Sequence, residues 1–134
     1  MIIDYNLQFS DAQSVTADAA STNLIDLGSD RDIGPGEEMK IALNFDVAMG
    51  GSSPTLAVLV QTDDNASFSS ATTVLTSRSI AAAAVGDQLV LGLPDTNERY
   101  VRLYYDVGGS SPTMTVSASI VKDAQQSTSY PDAT

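Results

Sequence analysis

The chain has 134 residues and a net charge of −11, with 17 acidic and six basic residues and no cysteine, histidine or tryptophan. This length fits one domain, and without cysteine or histidine the chain lacks thiolate nucleophiles, disulfides, imidazole bases and the common zinc ligands. We therefore expect no enzymatic activity and no cofactor. The negative charge repels phosphate backbones and anionic lipids, so neither nucleic acid nor a membrane is an expected partner.

The first 36 residues predict short extended segments joined by loops. Residues 5–9 alternate between polar and apolar side chains and indicate an opening strand or an ordered arm. The small side chains of residues 14–23 leave a short helix open, and residues 23–27 predict a short strand that ends at Gly28. Residues 30–36 contain Gly34, Pro35 and Gly36 and predict a loop. The N-terminus has neither a basic region nor a long apolar run, so we expect a soluble protein without an export signal.

The middle of the chain predicts a series of strands. The strand from residue 39 alternates with period two, which indicates a half-buried strand in an antiparallel sheet. Residues 56–60 are apolar on both faces and predict a central strand covered on both sides, by another subunit or a partner. Residues 72–76 and 88–93 continue the series, whereas residues 81–84 fit either a bend or a helical turn. The predicted inward side chains of the first strand are Ile41, Leu43, Phe45 and Val47.

The last third of the chain predicts two more strands and a polar tail. Residues 100–107 place apolar side chains on one face and Tyr100, Arg102, Tyr104 and Asp106 on the other. The tail comprises residues 125–134. The predicted inward side chains of these two strands are Val101, Leu103, Tyr105, Val107, Met114, Val116, Ala118 and Ile120.

The sequence Gly-Gly-Ser-Ser-Pro-Thr occurs twice, at residues 50–55 and 108–113. Glycine pairs supply positive φ angles and proline lacks an N–H, so each copy predicts a turn between two antiparallel strands. An ancient internal repeat and convergent turn chemistry explain the duplication equally well. Together the elements predict an all-β, two-sheet antiparallel sandwich of about eight strands, with a jelly-roll-like or immunoglobulin-like topology. We expect a single domain over residues 1–134, with an N-terminal arm (1–9) and a C-terminal tail (125–134) that are free to move.

Two groups of residues are candidates for a site. Asp63, Asp64 and Asn65 could ligate calcium or form a polar recognition loop, but turn preferences favour a loop in which these side chains bond their own backbone. The strand that carries Arg99, Tyr100, Arg102 and Tyr104 indicates either ordinary cross-strand pairs, the stronger expectation, or a contact surface rich in tyrosine and arginine.

Five short sequences carry a family resemblance: FSDAQ at 9–13, STNLIDLG at 21–28, QTDDN at 61–65, NERYVRL at 97–103 and YPD at 130–132. In this order and spacing the chain resembles the capsid cement, or decoration, proteins of short-tailed bacteriophages. The resemblance implies a jelly-roll protein that binds the major capsid protein on the outside of an icosahedral head, commonly as a homodimer at local twofold positions. The expected partner-binding residues are Asp63, Asp64, Asn65, Phe68, Arg99, Tyr100, Arg102, Tyr104 and Tyr130.

This resemblance predicts a structural virion protein that is made in the host cytoplasm and is located on the outer surface of the capsid. It would cement neighbouring major capsid proteins against internal DNA pressure. The alternative is a carbohydrate- or receptor-binding β-sandwich module of a phage tail or surface appendage. The absence of tryptophan counts against that alternative, because sugar binding commonly uses large aromatic platforms.

Overall fold

The computed structural model describes residues 2–29 and 36–124. A 3₁₀ turn at Tyr5–Leu7 precedes eight strands that pair antiparallel in one sheet, so the all-β prediction is confirmed. Tyr130 and the predicted tail lie outside the described residues, as does most of the predicted loop at residues 30–36. The strands are β1 (Gln8–Val15), β2 (Ala19–Ala20), β3 (Ile25–Asp26), β4 (Lys40–Asp63), β5 (Thr72–Thr76), β6 (Ile80–Ala81), β7 (Gln88–Gly92) and β8 (Tyr100–Val121).

The two long strands, β4 and β8, form the centre of the fold. They pair with each other from Lys40 opposite Val121 to Asp63 opposite Tyr100. In the first half of this ladder, β1 flanks the end of β8 and β7 flanks the start of β4, which gives the order β1–β8–β4–β7. In the second half, β2 and β3 flank the start of β8, and β5 and β6 flank the end of β4. In both halves the two long strands therefore lie in the middle and the short strands lie at the edges.

The long strands fold back, so that the two halves form two layers. Ser10 in β1 pairs with Ala118, which lies 13 positions after Tyr105 in β8. A straight strand would separate Ala118 from Tyr105 by about 43 Å, at about 3.3 Å per residue. Instead the side chains of Ser10 and Tyr105 form a buried hydrogen bond of 2.7 Å. Strand β8 therefore bends between the two halves, and the halves face each other across a shared core.

The bend lies at the two Gly-Gly-Ser-Ser-Pro-Thr copies, so the prediction that each copy is a hairpin turn is wrong. Both copies continue their strands, and they pair with each other, with Gly50 opposite Thr113 and Thr55 opposite Gly108. Positive φ angles occur at equivalent places, +103° at both Gly51 and Gly109 and about 50° two residues later. Positive φ bends a strand at a bulge as readily as it closes a turn, and the register shifts here mark such irregularities.

The two copies meet in a local twofold arrangement. A Cβ added to Gly51 would approach the carbonyl oxygen of Ser111 to 2.5 Å, and one added to Gly109 would approach that of Ser53 to 2.6 Å. The same twofold relation, which exchanges β4 with β8, also applies to the strands beside them. Strand β1 pairs with the end of β8, and β5 and β6 pair in the same way with the end of β4. The duplication therefore extends beyond six residues to the pairing pattern of the sheet.

The period-two pattern predicts most of the core correctly. The predicted inward residues of β4 and β8 are buried, except for half-buried Val107 and for Val47, which is 53% exposed just after a register shift. In residues 56–60 the chain itself covers only one face, because Leu59 stays partly exposed. Residues 14–23 form no helix; they end β1 and contain β2.

The N-terminal segment divides at Gln8. Phe9 is fully buried in β1 and Leu7 packs against the core, whereas Ile2 and Tyr5 are largely exposed. Phe9 therefore belongs to the folded domain, and only residues 2–6 have the exposure of an arm. In the described part of the chain, no helix has the length and apolar character needed to cross a membrane.

Candidate partner-binding surface

The second half of the β4–β8 ladder has an outward face. This face carries residues that the sequence predicts as a contact surface. Leu59 on β4 lies opposite Tyr104 on β8, and Gln61 lies opposite Arg102. All four are partly exposed, because their neighbours along each strand point into the core. We call Leu59, Gln61, Phe68, Arg102 and Tyr104 the outer platform.

Arg102 is held at the centre of the outer platform by three groups. Its Nε donates a hydrogen bond of 2.9 Å to Oε1 of Gln61. Its guanidinium carbon lies 4.2 Å from the ring centroid of Phe68 and 5.9 Å from that of Tyr104. Such cation–π contacts favour one orientation of a long side chain. A partner would therefore find this arginine already ordered, at a smaller entropic cost than for a free surface arginine.

The loop from Asp63 to Ser70 places the ring of Phe68, which is only 8% exposed, beneath the guanidinium of Arg102. Asp63 is only 4% exposed, and its carboxylate accepts hydrogen bonds from the backbone N–H of Asn65 (2.9 Å) and of Ser70 (2.7 Å). The N–H of Phe68 donates to the carbonyl oxygen of Asn65, and Phe68 has a positive φ of 51°. The interpretation of this segment as a loop that bonds its own backbone is confirmed.

The carboxylate of Asp63 is thus used inside the loop, whereas Asp64 and Asn65 are exposed. Asn65 uses its side-chain oxygen to accept hydrogen bonds from the N–H and the hydroxyl of Ser67. Within residues 2–29 and 36–124, no three acidic, histidine or cysteine side chains are arranged to hold a metal ion. The geometry of this loop therefore indicates that its side-chain oxygens hold the backbone that carries Phe68, in preference to ligating calcium.

Arg99 and Tyr100 form a second cluster with Asp26 of β3. The Nε of Arg99 lies 2.7 Å from one carboxylate oxygen of Asp26, a terminal guanidinium nitrogen lies 2.8 Å from the other, and the guanidinium also lies 5.0 Å from the ring centroid of Tyr100. This bidentate pair, with a further hydrogen bond from the N–H of Gly28, lowers the pKa of Asp26 to about 2. The pair ties the short strand β3 to the start of β8.

The structure therefore separates the predicted site residues by role. Phe68, Arg102 and Tyr104 form one cluster, Arg99 and Tyr100 another, and Asp63 shapes the loop between them. Sequence reasoning missed Gln61 and Asp26. The outward position of Gln61 follows from its alternation with Val60 and Thr62, but its pairing with Arg102 depends on a register between strands 41 residues apart.

The fold and this surface define a small all-β domain with a pre-ordered aromatic and cationic face. Residues 9–120, which include nearly the whole sheet, match the model of the Bbp16 family. The match covers more than half of the chain, and the protein belongs to the Bbp16 family. No curated protein matches the sequence.

Proposed function

We propose that the protein is a structural component of a phage virion that binds the outer surface of an icosahedral head in many copies. The observation that carries this proposal is the outer platform, in which an ordered, partly exposed arginine covers the buried ring of Phe68 and lies near the partly exposed ring of Tyr104. Arginine and tyrosine are favoured at protein interfaces. Membership of the Bbp16 family supports a phage-related role, and the resemblance to capsid cement proteins supports the outer surface of the head.

In this role the protein acts by repetition. Each copy contacts neighbouring major capsid proteins, so separating two capsid subunits requires breaking their own contact and the bridge as well. Many modest contacts on one lattice add up to a large barrier, because each bound copy holds the next contacts at a high effective concentration. The proposed result is a head that resists the pressure of packaged DNA. A homodimer at local twofold positions would join two such bridges.

The charge of the protein agrees with an external position. A net charge of −11 opposes contact with DNA inside the head and favours binding to basic groups on the outer shell. The proposed partner is accordingly the major capsid protein, with binding after synthesis in the host cytoplasm.

The proposal is tested by mixing the purified protein with phage heads that lack it, followed by sedimentation and by heating. We expect many copies to sediment with each head and the temperature of DNA release to rise. If the protein remains in the supernatant at saturating concentration, the proposal is wrong. A glycan array with and without calcium would then test the carbohydrate-binding alternative.

The role of the outer platform is tested with a pair of charge-removing variants. Arg102→Gln removes the charge at its centre, and Lys40→Gln removes an exposed charge in the first half of the ladder. Both variants change the net charge equally. A difference in head binding between them therefore depends on where the charge lies and not on the net charge. We expect at least roughly tenfold weaker head binding for Arg102→Gln alone, as for a lost interface hot spot. Equal binding by both variants would place the contact elsewhere.

A further inference from the structure

A second feature of the molecule lies beside the outer platform, where β4 ends and β5 begins. There the segment before β8 forms one wall of a cleft of about 380 Å³. Its floor includes Thr62 of β4 and Thr72 and Val74 of β5. The wall consists of Asp95, Thr96, Asn97 and Glu98.

Two buried oxygen atoms in this cleft have no hydrogen-bond partner among the described residues. They are Oγ1 of Thr62, a residue only 1% exposed, and Oε2 of Glu98. Buried polar atoms in native proteins are almost always hydrogen-bonded, because an unsatisfied one retains its full cost of desolvation. Both residues line the cleft, so a donor that enters it would satisfy these atoms after a small shift of either side chain.

The chemistry of the lining specifies the donor. The polar side chains of the cleft present oxygen atoms, and two of them, Asp95 and Glu98, carry negative charge. Val74, which is 36% exposed, provides an apolar wall. A ligand that matches this lining has a cationic head with several N–H donors and an apolar stem. Lysine and arginine side chains have this form.

We propose that the cleft binds a lysine or arginine side chain of the protein to which this chain attaches. The charged head would donate to Oγ1 of Thr62 and Oε2 of Glu98, and the aliphatic stem would lie along Val74. That the donor is a capsid protein rests on the proposed function, but the binding of a cationic side chain does not.

The test uses small probes, so that it is independent of phage heads. Isotope-labelled protein is titrated with N-acetyl-arginine methylamide and N-acetyl-lysine methylamide, and amide chemical shifts are followed by NMR. The control probe is N-acetyl-citrulline methylamide, which has nearly the same shape as the arginine probe but no charge. We expect saturable shifts at residues 62, 72 and 96–98, with the citrulline probe binding about tenfold more weakly.

Two near-isosteric variants locate the binding groups. Thr62→Val removes the buried hydroxyl and Glu98→Gln removes the charge, and each should weaken the arginine probe several-fold. Their matched controls are Thr73→Val on the neighbouring strand and the exposed Asp106→Asn, which should bind the probe as the unmodified protein does. Equal affinity for arginine and citrulline probes, or shifts confined to other residues, would overturn the proposal.

Metal binding and head binding provide two further arms of the experiment. If Ca²⁺ or Mg²⁺ shifts the same amides and a chelator reverses the effect, the cleft is a metal site and the side-chain proposal fails. If the probes do not bind, and heads bind the protein equally well with and without Glu98→Gln, the cleft is not a binding site. The proposed attachment to the head would still stand. Probe binding without head binding would reject the attachment and leave the cleft.

Discussion

The hydroxyl groups of Ser10 and Tyr105 lie 2.7 Å apart in the core, although their strands belong to opposite layers. The hydroxyl of Ser10 donates its only proton to Oε1 of Gln13, also at 2.7 Å, so Tyr105 must be the donor in the bond between the layers. Burial raises the pKa of Tyr105 to about 12. This bond fixes the position of one layer against the other.

Replacing Tyr105 by phenylalanine should therefore destabilise the domain. The change keeps the ring but leaves Ser10 with one unused acceptor site in the core, which costs about 1 kcal/mol in unfolding free energy. Urea denaturation measures this cost. Tyr104→Phe, which removes the hydroxyl of a partly exposed neighbour, should change the free energy of unfolding by less than about 0.5 kcal/mol. Equal effects of the two variants would show that the buried bond contributes nothing.

The raised pKa of Tyr105 predicts a loss of stability at high pH. In the unfolded chain the phenol ionises near its ordinary pKa of 10.0, whereas in the folded state it stays protonated until about pH 12. The contribution of this group is therefore complete below pH 10 and is lost as the pH rises to 12. The loss amounts to roughly 2–3 kcal/mol at about 1.4 kcal/mol per pKa unit.

Tyr105→Phe provides the control for this pH dependence, since other groups also titrate above pH 10. We expect the stability advantage of the unmodified protein over the variant to shrink and then reverse between pH 10 and 12, as measured by urea denaturation at each pH. Parallel pH profiles for the two proteins would contradict the assignment.

Residues 50–55 and 108–113, where the long strands bend, form two corners. Their glycines allow backbone strain to be separated from crowding. Alanine at Gly51 or Gly109 would need a positive φ of 103° and would place its Cβ within 3 Å of carbonyl oxygens of the other corner. Alanine at Gly86 would also need a positive φ, of 85°, but would have no atom within 4 Å. We expect Gly86→Ala to cost about 1–2 kcal/mol and each corner variant to cost more, by similar amounts for the two corners. Thermal unfolding of the three variants measures this order, and a corner variant as stable as Gly86→Ala would contradict the close packing.

The ion pair between Asp26 and Arg99 makes a prediction at low pH. Because the folded-state pKa of Asp26 is lowered to about 2, its contribution to stability is present above the ordinary pKa of 3.8 and is lost as the pH falls towards 2. Arg99→Gln should raise the pKa of Asp26, although the N–H of Gly28 would keep it somewhat below 3.8. NMR titration of the carboxyl carbon measures this shift. Arg78→Gln should leave the value unchanged, and an unmoved pKa in Arg99→Gln would refute the role of the pair.

The inward faces of the strands could be predicted from the sequence because each strand is covered by the core on one side. Period-two alternation correctly places Leu43, Leu103 and Val116 inside. The failure at Val47 has a physical reason. The strand changes register just before the corner, and a shift of one residue moves a side chain to the opposite face.

The sequence did not predict the corners and the outer platform, because both depend on pairing between distant parts of the chain. A glycine pair such as that at Gly51 has the same local signal whether it closes a hairpin or bends a continuous strand, and only pairing between residues about 58 positions apart decides between them. The contact of Phe68 with Arg102 likewise depends on a loop conformation set by the carboxylate of Asp63. Alternation correctly placed Tyr100, Arg102 and Tyr104 on the outward face of their strand, but the contacts of these side chains depend on the register of β4 and β8.

The loop that supports Phe68 provides a final prediction. In Asp63→Asn, the side-chain oxygen can still accept a hydrogen bond from one backbone N–H, but the new NH₂ group faces the other N–H, so two donors oppose each other. The loss of one charged acceptor bond costs roughly 1.5–3 kcal/mol, so we expect the loop to open more often, with hydrogen exchange at Asn65 and Ser70 faster by about tenfold to a hundredfold. Asp64→Asn, which changes the same charge at an exposed position, should leave exchange at these amides unchanged. Since the loop holds Phe68 against Arg102, Asp63→Asn should also weaken head binding; faster exchange with undiminished binding would show that the ordered platform is not what the head recognises.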